Sequence, residues 1–118
     1  MKLNDSMIEH GYREQLISSH QSLFNDSSKK QLYACLKEFC PQMKTAYILG
    51  WTPEQGEDIY RILINTDTIC AIELEHGQDE PAAIETIQLK EYEKELSKTG
   101  RIKLAVALDL AAKDIAAA

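Results

Sequence analysis

The chain predicts an α+β fold, and three observations carry that reading. Two amphipathic helical segments open it, short runs rich in β-branched and aromatic residues fill its middle, and an alanine-rich helix closes it. The expected order is α-α-β-β-β-β-α-α: two layers built from an N-terminal helical hairpin, an antiparallel meander of about four strands and a C-terminal helix. With 118 residues, 44% of them apolar, residues 1–118 are expected to form a single globular domain.

SMIEHGYREQLISSHQSLF reads as the first helix, because Ser6 with Glu9 three residues on makes a capping box. Leu16, His20, Leu23 and Phe24 fall on one stripe, and Gly11 weakens the first turns. Asp26, Ser27 and Ser28 break this helix and offer caps for KKQLYACLKEFC, where Leu32, Cys35, Leu36 and Phe39 follow the i, i+3, i+4, i+7 rule. Pro41 ends that second helix. From residue 44 the apolar period changes. TAYILGW reads as a strand closed by Thr52-Pro53, with Pro53 and Gly56 supplying the bend that follows.

EDIYRILI and TICAIELE read as two further strands joined by a tight turn. With Thr66-Asp67 as a two-residue loop, Ile64 pairs with Ile69, Leu63 with Cys70, Ile62 with Ala71 and Tyr60 with Glu73. One face then carries Ile59, Arg61, Leu63, Cys70, Ile72 and Leu74, and the other Tyr60, Ile62, Ile64, Ile69, Ala71 and Glu73. Neither face is polar, so either helices cover both or the second meets a partner. IETIQL reads as a fourth strand with Ile87 and Leu89 inward. KEYEKELSK follows as a short helix that Gly100 terminates, and RIKLAVALDLAAKDIAAA is a helix with Leu104, Leu108, Ala111 and Ile115 on one stripe.

The net charge of −6 is unevenly placed. Residues 54–80 hold eight acids (Glu54, Glu57, Asp58, Asp67, Glu73, Glu75, Asp79 and Glu80) against Arg61 alone, a local charge of −7. Such a field repels phosphates and favours basic partners, so no nucleic acid partner is expected. The N-terminus meets polar and charged residues too early for a secretory signal, and no run approaches a membrane span. A cytoplasmic protein with no membrane partner is therefore expected.

Three cysteines without CxxC spacing indicate neither a disulfide framework nor a zinc site. Cys35 and Cys70 read as small core residues, and Cys40, beside Pro41, as more exposed. His10 and His20 share no helix face, and His76 follows Glu73 and Glu75 in a turn. The five glycines are isolated, so no phosphate loop is present, and no catalytic residue, metal or cofactor is expected.

The helix LYACLKEFC, the acidic hairpin IYRILINTDTICAIELEH and the closing RIKLAVALDLAAKDI together give the chain a resemblance to the small acidic immunity proteins that bacteria carry against toxins of contact-dependent growth inhibition and related systems. The resemblance implies a non-enzymatic role: tight binding to one cognate toxin domain, often a basic nuclease, with its active site or substrate groove blocked. Residues then expected to bind the partner are Trp51, Glu54, Glu57, Asp58, Tyr60, Asp67, Glu73 and Glu75, with Trp51 and Tyr60 as aromatic anchors and the acids as a border around Tyr60, Ile62 and Ile64. A monomer is favoured. The alternatives are an effector-specific secretion chaperone, which would dimerise, and a small enzyme using Cys40 or a carboxylate.

Overall fold

Residues 3–118 are described by the structure, a computed structural model. Helix α1 (Met7–Asn25) and a 3-10 turn (Ser27–Lys29) lead into α2 (Lys30–Phe39). Strands β1 (Ala46–Glu54), β2 (Glu57–Ile64), β3 (Thr68–Glu75) and β4 (Ala83–Gln88) form one antiparallel sheet in chain order, and α3 (Leu89–Lys94) and α4 (Lys98–Ala117) follow. The α+β class, the helical hairpin, the four-strand meander and the closing helix are those the sequence predicts. Among the described residues no helix is long and apolar enough to cross a membrane.

The capping box forms. Ser6 Oγ accepts the Glu9 N–H at 3.3 Å, and the buried Glu9 carboxylate accepts the N–H groups of Asn4 and Asp5 and the Ser6 hydroxyl. Those bonds, the Asn4 N–H first, hold the Glu9 carboxyl below the usual range. Asp26 breaks the chain as expected, its carboxylate accepting the Ser28 N–H at 2.9 Å. In α2 the stripe buries Leu32, Cys35 and Leu36, but Phe39 in the last turn stays exposed.

The β2–β3 loop has three residues, not two. Asn65 adopts φ +54, a left-handed conformation that Asn tolerates. Its side-chain oxygen accepts the N–H groups of Lys44 and Thr45, its amide donates to Gln42 O, and its backbone N–H donates to Thr45 O at 2.9 Å. Held this way, Asn65 leaves the strand, and Ile64 pairs with Thr68, Ile62 with Cys70 and Tyr60 with Ile72. The register is one residue from the expected one, so the two faces of β3 exchange places. The first sheet face gathers Ala46, Tyr60, Ile62, Ile64, Cys70, Ile72 and Leu74 beneath Leu32, Cys35 and Leu36 of α2, with Leu23 of α1. The second gathers Tyr47, Leu49, Leu63 and Ile69 beneath Leu104, Val106, Ala107 and Ala111 of α4, with Leu16 of α1. Helices therefore lie on both faces of the sheet, which makes three layers where two were expected, because neither sheet face is polar enough to stay in water.

Three local expectations are corrected. Gly100 does not end a helix; it sits in the first turn of α4 and donates its N–H to the N-cap Ser97 Oγ. Pro53 lies within β1, the edge strand, where a residue lacking an N–H is tolerated, and the bend falls on Gln55-Gly56 with Gly56 at φ +83. Cys40 is buried in one core cluster with Cys35 and Cys70 rather than exposed.

Helix α1 stands along the free edge of β1 and supplies it with partners: Ser19 Oγ accepts the Ile48 N–H at 3.2 Å, and His20 Nδ1 lies 3.1 Å from Ala46 O. The same strand is tied to α4. Asp114 Oδ2 accepts the Thr45 hydroxyl at 2.7 Å and the Tyr47 hydroxyl. Burial, reinforced by the Asp114 carboxylate, pushes the Tyr47 phenol well above its usual range. Asp114 stands in the closing turns of α4, where the helix dipole disfavours a carboxylate, and the two bonds offset that cost. Tyr47→Phe is expected to lower unfolding free energy by about 1.5–3 kcal/mol, the range for a hydrogen bond to a charged group, with an unchanged denaturant slope in urea titration.

Candidate acidic sheet face

The helices over the second sheet face do not reach its far end. α1 and α4 pack against β1, and α3 against β4 and β3, which leaves the stretch near the β1–β2 turn open. Alternation along the strands sends Glu54, Glu57, Ile59, Arg61, Glu73, Glu75 and Glu85 to this open area. Glu54 is paired across strands with Glu57, and Glu57 with Glu75, while Ile59 faces Glu73 and Ala71 faces Glu85. Directly opposed side chains stand about 5 Å apart, and like charges at that spacing destabilise a sheet.

None of these five glutamates joins an ion pair among the described residues. Arg61, their one basic neighbour, borders a shallow pit with Ala71, Glu73, Ala83 and Glu85 and donates to its own strand at Tyr60 O. Partial desolvation, then the charges of Glu73, Glu54 and Glu75, push the Glu57 carboxyl above the usual carboxylate range.

The expected binding residues divide into three groups. Glu54, Glu57, Glu73 and Glu75 share the open face. Trp51, Asp58 and Tyr60 lie on the opposite face. Asp67 sits in the β2–β3 loop at the far end of the sheet, about 26 Å from Glu75 by strand rise. Tyr60 is only 3% exposed, so it belongs to the core and cannot serve as an anchor; Ile62 and Ile64 are buried with it, so no acidic border surrounds them on the surface. Trp51 is 54% exposed. Its ring stacks on Tyr60 at 6.2 Å, its Nε1–H donates to Asp58 Oδ1 at 2.9 Å, and Lys29 Nζ lies 4.9 Å above it.

Asp58 behaves oppositely to its neighbour Glu57. Partial burial pushes its carboxyl up, but hydrogen bonds from Trp51 and from His76 Nε2 at 3.0 Å, with the charges of His76 and Lys29, outweigh this and hold it below the usual range. Glu85 was missing from the sequence-based set. It is found by carrying the alternation across β4, where Ala71 faces it.

Burial raises all three thiols, Cys70 to about 12, so they are protonated at neutral pH. Among the described residues no group of three or more His, Cys, Asp or Glu side chains is placed to hold a metal ion. Comparison with protein-family models, with curated proteins and with solved structures yields no match.

The raised Glu57 carboxyl has a signed consequence for stability. A carboxyl that titrates higher folded than unfolded costs stability while ionised, and the cost vanishes as pH falls through its folded value. Glu57→Gln is therefore expected to raise Tm at neutral pH and to lose that advantage at about pH 3, below the ordinary carboxylate range. Thermal melts at the two pH values check this, and an equal gain at both would contradict it.

Proposed function

We infer that this protein is a non-enzymatic neutraliser of a basic protein partner, and that it docks that partner on the open acidic half of the second sheet face. The observation that carries the reading is the set of cross-strand Glu54–Glu57 and Glu57–Glu75 pairs, held without an ion pair among the described residues. Opposed like charges cost stability in the free protein. A partner bringing Lys or Arg to the same place relieves that cost on binding, so part of the recognition energy is stored in the unbound sheet. Half-buried Ile59 lies among the acids as an apolar centre within a charged surround, the common anatomy of a docking patch.

Among basic partners, a toxin domain of the nuclease type fits best, because such a domain has a cationic substrate groove that an array of carboxylates can occupy in place of phosphates. The role is then that of an immunity protein: occlusion of the groove without chemistry. Where the adjoining upstream gene encodes a large toxin, the C-terminal domain of that toxin is the partner to test by co-purification.

Reversal of Glu57, Glu73 and Glu75 to Lys is expected to abolish co-purification, and each single reversal to weaken affinity by about tenfold or more. The wild-type Kd should rise with salt between 50 and 500 mM on the order expected for screened charges. Unaltered affinity in the triple variant would remove this face from the interface, and failure of the pair to associate at all would end the reading.

A further inference from the structure

A second surface feature is lined by none of the acids on that face. A cleft opens between α1 and the outer half of β1, bordered by Gln15, Ser18, Ser22, Lys29, Trp51 and Lys103. Its origin is a bulge in β1. Up to Ile48 the strand is bonded to Ser19 of α1; between Ile48 and Gly50 its register shifts, and beyond that point the short side chains of Ser18 and Ser22 leave a gap.

The cleft is cationic in a chain with 19 acids and 13 bases. Neither lysine has a carboxylate within ion-pair distance among the described residues, although Asp58, bonded to the Trp51 indole, and Asp26 feel the Lys29 charge from further off. Lys29 lies over the rings of Trp51 and Tyr60, and half-buried Lys103 lies 5.8 Å from the ring of Tyr12. Desolvation lowers the Lys103 pKa with no charge nearby to restore it. Holding an ammonium there is costly in the empty protein, and a bound anion removes the cost.

An extended peptide does not suit this place. The inner half of the β1 edge is already sealed by Ser19 and His20, and Pro53 deprives the outer half of a donor. A compact ligand does suit it. We propose that the α1–β1 cleft is a binding site for a small oxyanion-bearing ligand, a phosphate or carboxylate compound, whose charge meets Lys29 and Lys103 and whose remaining oxygens meet the Ser18 and Ser22 hydroxyls and the Gln15 amide. The site goes beyond the partner-docking role and uses none of its residues.

Trp51 is the chain's one tryptophan and lines the cleft, so its emission reports occupancy directly. Sodium phosphate, pyrophosphate and citrate are titrated into the full-length protein at ionic strength held constant with sodium chloride. A saturable change with at least one of them is expected, and the relative affinities separate phosphate from carboxylate chemistry. Lys103→Gln should weaken the response about tenfold, as loss of one charge-assisted hydrogen bond does, and Lys113→Gln, an exposed lysine paired with Asp109, should leave it unchanged. Ser18→Glu, at an exposed helix position, places a carboxylate in the cleft and should abolish binding even if the lysine variant folds poorly. The proposal is overturned if none of the three anions gives a saturable response, or if the response survives Ser18→Glu.

Discussion

Three consecutive residues, Ile62, Leu63 and Ile64, are all buried, and so are Ile69 to Ile72 on the neighbouring strand. Successive strand residues point to opposite faces, so this sheet is apolar on both sides and has to be covered twice. Each large aliphatic side chain left in water would forgo about 1.5–3 kcal/mol. The arrangement of the helices follows from that demand. α2 takes the first face and α4 the second, and α1 stands at the β1 edge, giving Leu23 to one core and Leu16 to the other. From there Ser19 and His20 also bond the edge backbone, which closes β1 to strand addition along its inner half. The Asp114 bonds to Thr45 and Tyr47 then fix α4 against the same strand. One strand thus holds both layers in place.

The cover is finite, and the open acidic face is where it ends. Near the β1–β2 turn the second face carries Glu54, Glu57, Glu73 and Glu75 where the opposite end of the sheet carries Leu63 and Ile69. The pattern there becomes the ordinary one for a sheet with one wet face, apolar Tyr60, Ile72 and Leu74 beneath and polar residues above. Solvation alone would be met by a mixture of charge signs. A run of one sign placed in cross-strand register opposes stability instead.

The elements were legible in the sequence because each rests on a short-range rule. The Ser6–Glu9 box, the Leu32–Cys35–Leu36 stripe and the β-branched runs depend on neighbours three or four residues away, or two. The register was not legible in that way. It turns on Asn65, whose side chain reaches back to residues 42–45, a contact between parts of the chain that no local pattern reveals. With the register displaced by one residue, Glu73 was assigned to the face of Tyr60, and the aromatic and acidic groups looked like one site. The burial of Cys40 and the place of Gly100 inside α4 failed for the same cause, since both depend on what packs above them.

Glu57 and Asp58 show why charge counted along the chain misleads. They are adjacent, both acidic and both half-buried, and a sequence window gives them one meaning. The pleat sends them to opposite faces. Asp58 meets the Trp51 indole, His76 and Lys29, and its carboxyl is held down; its charge is used within the fold, binding the β1–β2 hairpin to the start of the β3–β4 loop. Glu57 meets only other glutamates, and its carboxyl is driven up. A charge whose ionisation the fold favours is already committed to the protein's own structure. A charge whose ionisation the fold opposes is not, and across a strand pair with period two the difference is a single residue.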